Sequence, residues 1–146
     1  MDINGLPLHP LVVHAAVVFG PLGAVGALAY VGLPSWRDRL RWPMLGLALA
    51  AGLAIVAAYL TGRSFISSRP ELAQLPHVAT HRHRARLLLW STLAFSLVAT
   101  VVAGWLHPRP GVLRTAAGLL LGVSALTVLV LVVLTGDAGA RAVWGQ

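Results

Sequence analysis

The chain has no cysteine and no lysine, and only four acidic residues among 146. Without cysteine it supplies no disulfide, no thiolate nucleophile and no cysteine ligand for an iron–sulfur cluster. Charge of either sign is scarce. Asp, Glu, Lys and Arg together make up 10% of residues, against about 25% in a soluble domain. Hydrophobic residues make up 58%, and 15 glycines come on top of them. A single soluble domain of this length cannot bury that much apolar surface, because small domains leave a large share of their residues in water. Composition therefore excludes a soluble enzyme and a disordered tail, and indicates an integral membrane protein.

Eleven arginines give a formal charge of +7 and a pI near 11.8. In a soluble chain that balance would suggest nucleic acid. Here the arginines lie between apolar runs, as Arg37, Arg39 and Arg41 and again as Arg82, Arg84 and Arg86. Guanidinium groups at such positions meet lipid phosphates or fix topology. The expected partner is the lipid bilayer, with no nucleic acid.

A spanning helix takes about 20 mostly apolar residues. Four segments qualify, at residues 11–31, 44–62, 87–106 and 115–135, and none contains Asp, Glu, Lys or Arg. They predict an all-α, four-helix membrane bundle forming a single domain over residues 1–146. Trp36, Trp42, Trp90, Trp105 and Trp144 lie at or near the ends of the runs, where an amphipathic ring prefers the interface. The first ten residues carry no Lys or Arg, so the opening does not read as a cleaved signal peptide. Four spans put both termini and the 63–86 loop on one side. The short loops, 34–42 and 107–114, hold five arginines at the higher density, which points them to the cytoplasm and the termini away from it.

Several features predict packing. Gly118 and Gly122 form a GxxxG pair, and Gly46, Ala50 and Ala54 repeat small residues that let backbones approach. Thr92, Ser96 and Thr100 recur every four residues and so share one helix face. Pro21 predicts a kink in the first span, and Pro70 and Pro76 bracket a short interfacial helix.

Polar side chains at membrane depth are expensive and are the natural functional candidates. His9 and His14 open the first span, and His77, His81 and His83 open the third. His107 lies on the opposite side and reads as a loop residue. Asp137 and Arg141 follow the fourth span and return to the side of the first five histidines. His81 lies in line with Leu88, Thr92 and Ser96, whereas His77 and His83 read as headgroup-solvated. His14 lies one turn inside an apolar run, as a ligand, a proton carrier or a hydrogen-bonded structural histidine. Imidazoles with a carboxylate can hold a metal ion, and two histidines from facing helices can hold a haem iron. No GxSxG turn presents a nucleophile and no glycine motif cradles phosphate.

The opening Asn4-Gly5-Leu6-Pro7-Leu8-His9-Pro10-Leu11-Val12-Val13-His14 resembles the signature of the bacterial membrane domain of unknown function 2231. The close, Gly136-Asp137-Ala138-Gly139-Ala140-Arg141-Ala142-Val143-Trp144, is similar to its end motif. The resemblance covers nearly the whole chain. It implies a small four-span bacterial protein, in some members joined to a Rieske domain, with no assigned reaction. Where this chain has Asp137, similar sequences usually have histidine; aspartate suits a metal ion better than an axial haem position.

The expectation is a multi-pass protein of the bacterial inner membrane, with its site on the face of both termini. It reads as a non-catalytic, redox-associated module binding a metal or b-type haem. Cofactor contacts fall to His14 and His81, a metal set to His9, His14, His81 and Asp137, and an assisting role to Arg141. A redox or other membrane-protein partner, or a second copy of the chain, would complete it. Two other readings are an accessory subunit packed against a larger membrane complex without cofactor, and a small proton or ion transporter.

Overall fold

A computed structural model describes residues 2–3, 6–107 and 109–144 of the chain. A short antiparallel ladder sets Asp2 opposite Pro7 and Ile3 opposite Leu6. Four long helices follow: α1 Leu8–Gly32, α2 Arg37–Ser67, α3 Pro76–Val101 and α4 Val112–Trp144. All four are long and apolar enough to cross a membrane. The architecture is all-α.

Local chemistry sets the ends. Gly32 closes α1, and Leu33, which precedes Pro34, is turned away from helical geometry with ψ 77°, as the clash with a following proline ring demands. A single 3-10 turn, Pro34–Trp36, leads into α2. Arg37 then reaches back, donating from Nε to Tyr30 O at 3.1 Å and from Nη2 to Val31 O at 3.0 Å. Both carbonyls belong to the last turn of α1, which has no helical donors to spare. Pro76 opens α3 at a position where its missing N–H costs nothing. Between Pro70 and Pro76 the chain forms a 3-10 turn over Pro70–Gln74. At the far end α3 widens into a π-helical turn, Val102–Leu106. Gly111 precedes α4 at φ +131°, a conformation open to glycine.

The helices form a ring in which α1 packs on α2 and α4, and α3 on α2 and α4. The pairs α1/α3 and α2/α4 therefore lie on diagonals. Small residues make up most of the core: Ala24, Ala27, Ala48, Ala51, Ala99, Ala103 and Ala125 are fully buried, with Phe95, Met44, Leu121 and Val128 filling the larger gaps. Large side chains point outward instead, Leu53 at 73% and Trp105 at 72% exposure among them. That inversion accounts for the composition, because lipid solvates the outer leucines that water would not.

The close approaches fall at glycines other than the expected ones. A Cβ on Gly52 would stand 2.8 Å from Ser96 Oγ, one on Gly20 2.9 Å from Val132 Cγ2, and one on Gly23 3.1 Å from Leu47 O. Gly46 and Gly118 have no such neighbour within 4 Å, and Gly122 meets only Val31, at 4.0 Å. The GxxxG pair flanks the buried stripe of α4, which runs through Leu121, Ala125, Val128 and Val132. Of the hydroxyl row on α3, Ser96 alone bonds across helices, donating to Ala48 O at 2.9 Å. Thr92 and Thr100 donate to their own helix, at Leu88 O and Ser96 O.

Candidate functional site

Both chain ends meet at one mouth of the bundle, built from the start of α1, the end of α2, the start of α3 and the end of α4. His9, in the first turn of α1, leans on the end of α2. Its Nδ1 lies 3.3 Å from Thr61 Oγ1, and its ring sits 6.3 Å from that of Phe65. Thr61 has one hydroxyl proton, directed at Ala57 O at 2.8 Å and Ala58 O at 3.1 Å. Its oxygen must therefore accept from His9, which places the imidazole proton on Nδ1.

His81, in the second turn of α3, leans on the end of α4 in a parallel way. Its Nδ1 is 3.1 Å from Thr135 O, and a carbonyl can only accept, so again Nδ1 carries the proton. Neutral imidazoles held by Nδ1 keep an Nε2 lone pair for a ligand. The Cε1–Nδ1 edge of each ring rests on a glycine. A Cβ on Gly62 would stand 3.0 Å from His9 Cε1, and one on Gly139 3.2 Å from His81 Cε1. Gly62 and Gly139 thus make room for the two rings. The rings are half-buried, on diagonal helices, and within coulombic reach of each other. Beside them, Thr135 Oγ1 is buried without a hydrogen-bond partner among the described residues. Such a hydroxyl is normally completed by a ligand or an ordered water.

The other expected site residues stand elsewhere. His14 follows His9 by five residues, about 140° around the helix. It is exposed on the outer surface, where Nδ1 donates to Pro10 O at 2.7 Å. Depth in the apolar run did not bring it into the bundle. Asp137 is occupied by arginine: Arg141 Nε lies 3.0 Å from both carboxylate oxygens, and Arg84 Nη1 3.8 Å from Oδ2. Arg84 also donates to Leu134 O at 2.8 Å. His77 shares a shallow pocket with this group, and His83 is exposed. Among the described residues no three His, Cys, Asp or Glu side chains converge on a common point. The four-residue metal set therefore divides, leaving His9 and His81 as the pair.

At the opposite end the structure assigns His107 partners that the sequence did not suggest. Nε2 donates to Asp38 Oδ1 at 2.8 Å, and Nδ1 accepts from the buried Tyr30 hydroxyl at 2.8 Å. The imidazole side chain is 10% exposed. Its partners come from α1 and α2, 77 and 69 positions away. A Tyr, a His and an Asp in separate segments carry no spacing signal, so only the folded chain reveals them.

Neither the curated proteins nor the solved structures contain a significant match to the chain. A family model described as "Predicted membrane protein (DUF2231)" matches residues 5–146. Asn4, at the head of the opening motif, and Gly5 lie outside the described residues, whereas His9, Pro10 and His14 are described. With a match over nearly its entire length, the chain belongs to the DUF2231 family of predicted membrane proteins.

Proposed function

We propose that the protein is a membrane redox module whose His9 and His81 ligate one transition-metal centre through Nε2, the iron of a b-type haem. One observation carries this reading: on diagonal helices at one mouth, both imidazoles are held by Nδ1 and seated on glycine. Hydrogen-bonding the far nitrogen fixes ring orientation and raises ligand basicity, as metal-binding histidines require. A bare ion needs more protein donors than two imidazoles. A haem iron takes two axial ligands and receives the rest from its macrocycle.

Bound there, the iron would supply one-electron redox chemistry; the chain's own work is to hold and shield it. Thr61 and the Thr135 carbonyl fix the two rings, and the Thr135 hydroxyl is available to a polar substituent of the ligand. Phe65 covers His9. The reading includes a bacterial inner membrane with this mouth on the extracytoplasmic side, supported by the arginine density of the two short loops. Electrons would pass to a membrane-associated redox partner.

The test is an absorption spectrum of detergent-purified protein from haem-supplied cells, air-oxidised and then dithionite-reduced. A Soret band with reduction-sensitive visible bands is expected, lost in His9→Ala and in His81→Ala and retained in His14→Ala. Circular dichroism would confirm that the variants fold. A featureless spectrum from the folded parent protein would overturn the proposal.

A further inference from the structure

At the other mouth, a cleft of about 250 Å³ opens between the end of α1, the start of α2, the π turn and the first turns of α4. Arg37 and Arg114 form its polar side, and Val31, Val102, Gly118 and Leu119 form its apolar side. Both arginines are half-buried. Arg37 spends Nε and one Nη2 proton on the carbonyls of α1, so Nη1 has no partner among the described residues. Arg114 makes no hydrogen bond or ion pair among the described residues. Beside Gly118 the space is open, with nothing within 4 Å of where a Cβ would stand.

The charge around the cleft is one-sided. Arg37, Arg39, Arg41, Arg109 and Arg114 gather at this end, and Asp38 is the one carboxylate in these loops. Asp38 is already engaged with His107. Arg39 lies over the Trp36 ring, and Arg41 lies over Trp42 and donates to Ala103 O. That leaves Arg37 and Arg114, from different helices, aimed at a common space that is apolar on its membrane side. A group suited to it carries a negative head and continues into hydrocarbon. Basic pockets between membrane helices take anionic lipid headgroups in this way, and guanidinium forks match phosphate oxygens.

We infer that this cleft binds the phosphate of an anionic phospholipid, held between Arg37 and Arg114, with its glycerol and first methylenes against Gly118 and Leu119. The volume suits the head and the start of the tails. The remainder of each chain follows the exposed Leu119 flank into the bilayer.

Native mass spectrometry of the full chain, released from nanodiscs of equal parts phosphatidylcholine and phosphatidylglycerol, reads the lipid retained. One phosphatidylglycerol is expected to stay preferentially bound. Arg114→Gln should weaken its retention about fivefold, the contribution of one basic side chain at an anionic surface. Gly118→Leu keeps every charge and fills the cleft, so it should abolish preferential retention. Arg109→Gln, on the same face and outside the cleft, should leave it unchanged. Equal losses in Arg114→Gln and Arg109→Gln would show diffuse attraction and overturn the proposal. Full displacement of the lipid by inorganic phosphate would also overturn it, making the cleft a phosphate site.

Discussion

The Tyr30 hydroxyl and His107 Nδ1 stand 2.8 Å apart although 77 residues separate them in the chain. The bond ties the last turn of α1 to the segment leading into α4. Arg37, bonded to the Tyr30 carbonyl, adds the start of α2 to the same junction. Tyr30 is 3% exposed, so water cannot readily replace the lost partner. Tyr30→Phe should lower stability by about 1 kcal/mol. His107→Leu should lower it comparably, and the double variant by about 1 kcal/mol less than the sum, since partners in one bond are coupled. Thermal unfolding in detergent closes this cycle. Asp38→Asn should matter less, because the carboxylate is 96% exposed and such pairs are weakened by water and salt.

The Gly52–Ser96 contact predicts a rescue. Gly52→Ala drives a methyl to 2.8 Å from Ser96 Oγ, a hydroxyl held in place by its bond to Ala48 O. A cost of about 1–3 kcal/mol is expected for overpacking. Removing the hydroxyl leaves Ser96 Cβ at 3.7 Å as the next neighbour, an ordinary contact. Gly52→Ala with Ser96→Ala should therefore be more stable than Gly52→Ala alone, as read by thermal unfolding. A double variant less stable than Gly52→Ala would show that the hydroxyl is not the obstacle.

At the histidine mouth, Gly62→Ala and Gly139→Ala should separate ligand binding from folding. Each added methyl meets an imidazole edge, at 3.0 Å or 3.2 Å, and the ring can give by a few tenths of an ångström. Alanine also favours the helix by up to about 1 kcal/mol over glycine, which offsets part of the crowding. Stability should change little, while the displaced ring weakens the haem spectrum proposed above. Comparing absorption with unfolding temperature checks both halves.

Asp137→Asn should leave that spectrum in place. The carboxylate is exposed and paired with Arg141 and Arg84, and Arg84 keeps its bond to Leu134 O without it. A stability change within about 0.5 kcal/mol is expected for such a surface site. Loss of the spectrum with the fold intact would make Asp137 part of the site after all.

The four helices were legible because each apolar run of membrane length has no soluble alternative. Depth could be read in the same way; direction around the helix could not. His9 and His14 differ by five residues, and the two directions diverge by about 140°, so the more deeply set His14 faces outward and the shallower His9 faces α2. His81 was placed correctly relative to its own helix by its alignment with Leu88, Thr92 and Ser96, all buried. Its seat on Gly139 was invisible, because that glycine lies 58 residues on and is one of many. The expected GxxxG contact failed for the same reason: spacing shows that two glycines share a face, and packing decides which face is used.

The π turn at Val102–Leu106 acts as a length adjuster for the opposite mouth. Its widened backbone presents the Ala103 carbonyl to Arg41 Nε at 2.8 Å, so a bond otherwise closed within α3 is made to α2 instead. Shortening the turn by one residue, for instance by deleting Gly104, would restore a regular helix and swing everything beyond it by about 100°. His107 would then leave Tyr30, and Val102 and Arg114 would no longer border the same cleft. A single residue's worth of slack thus sets the phase between the helical core and the arginine-rich end, which makes this segment the place where lineages of such proteins can gain or lose that end without disturbing the histidine mouth.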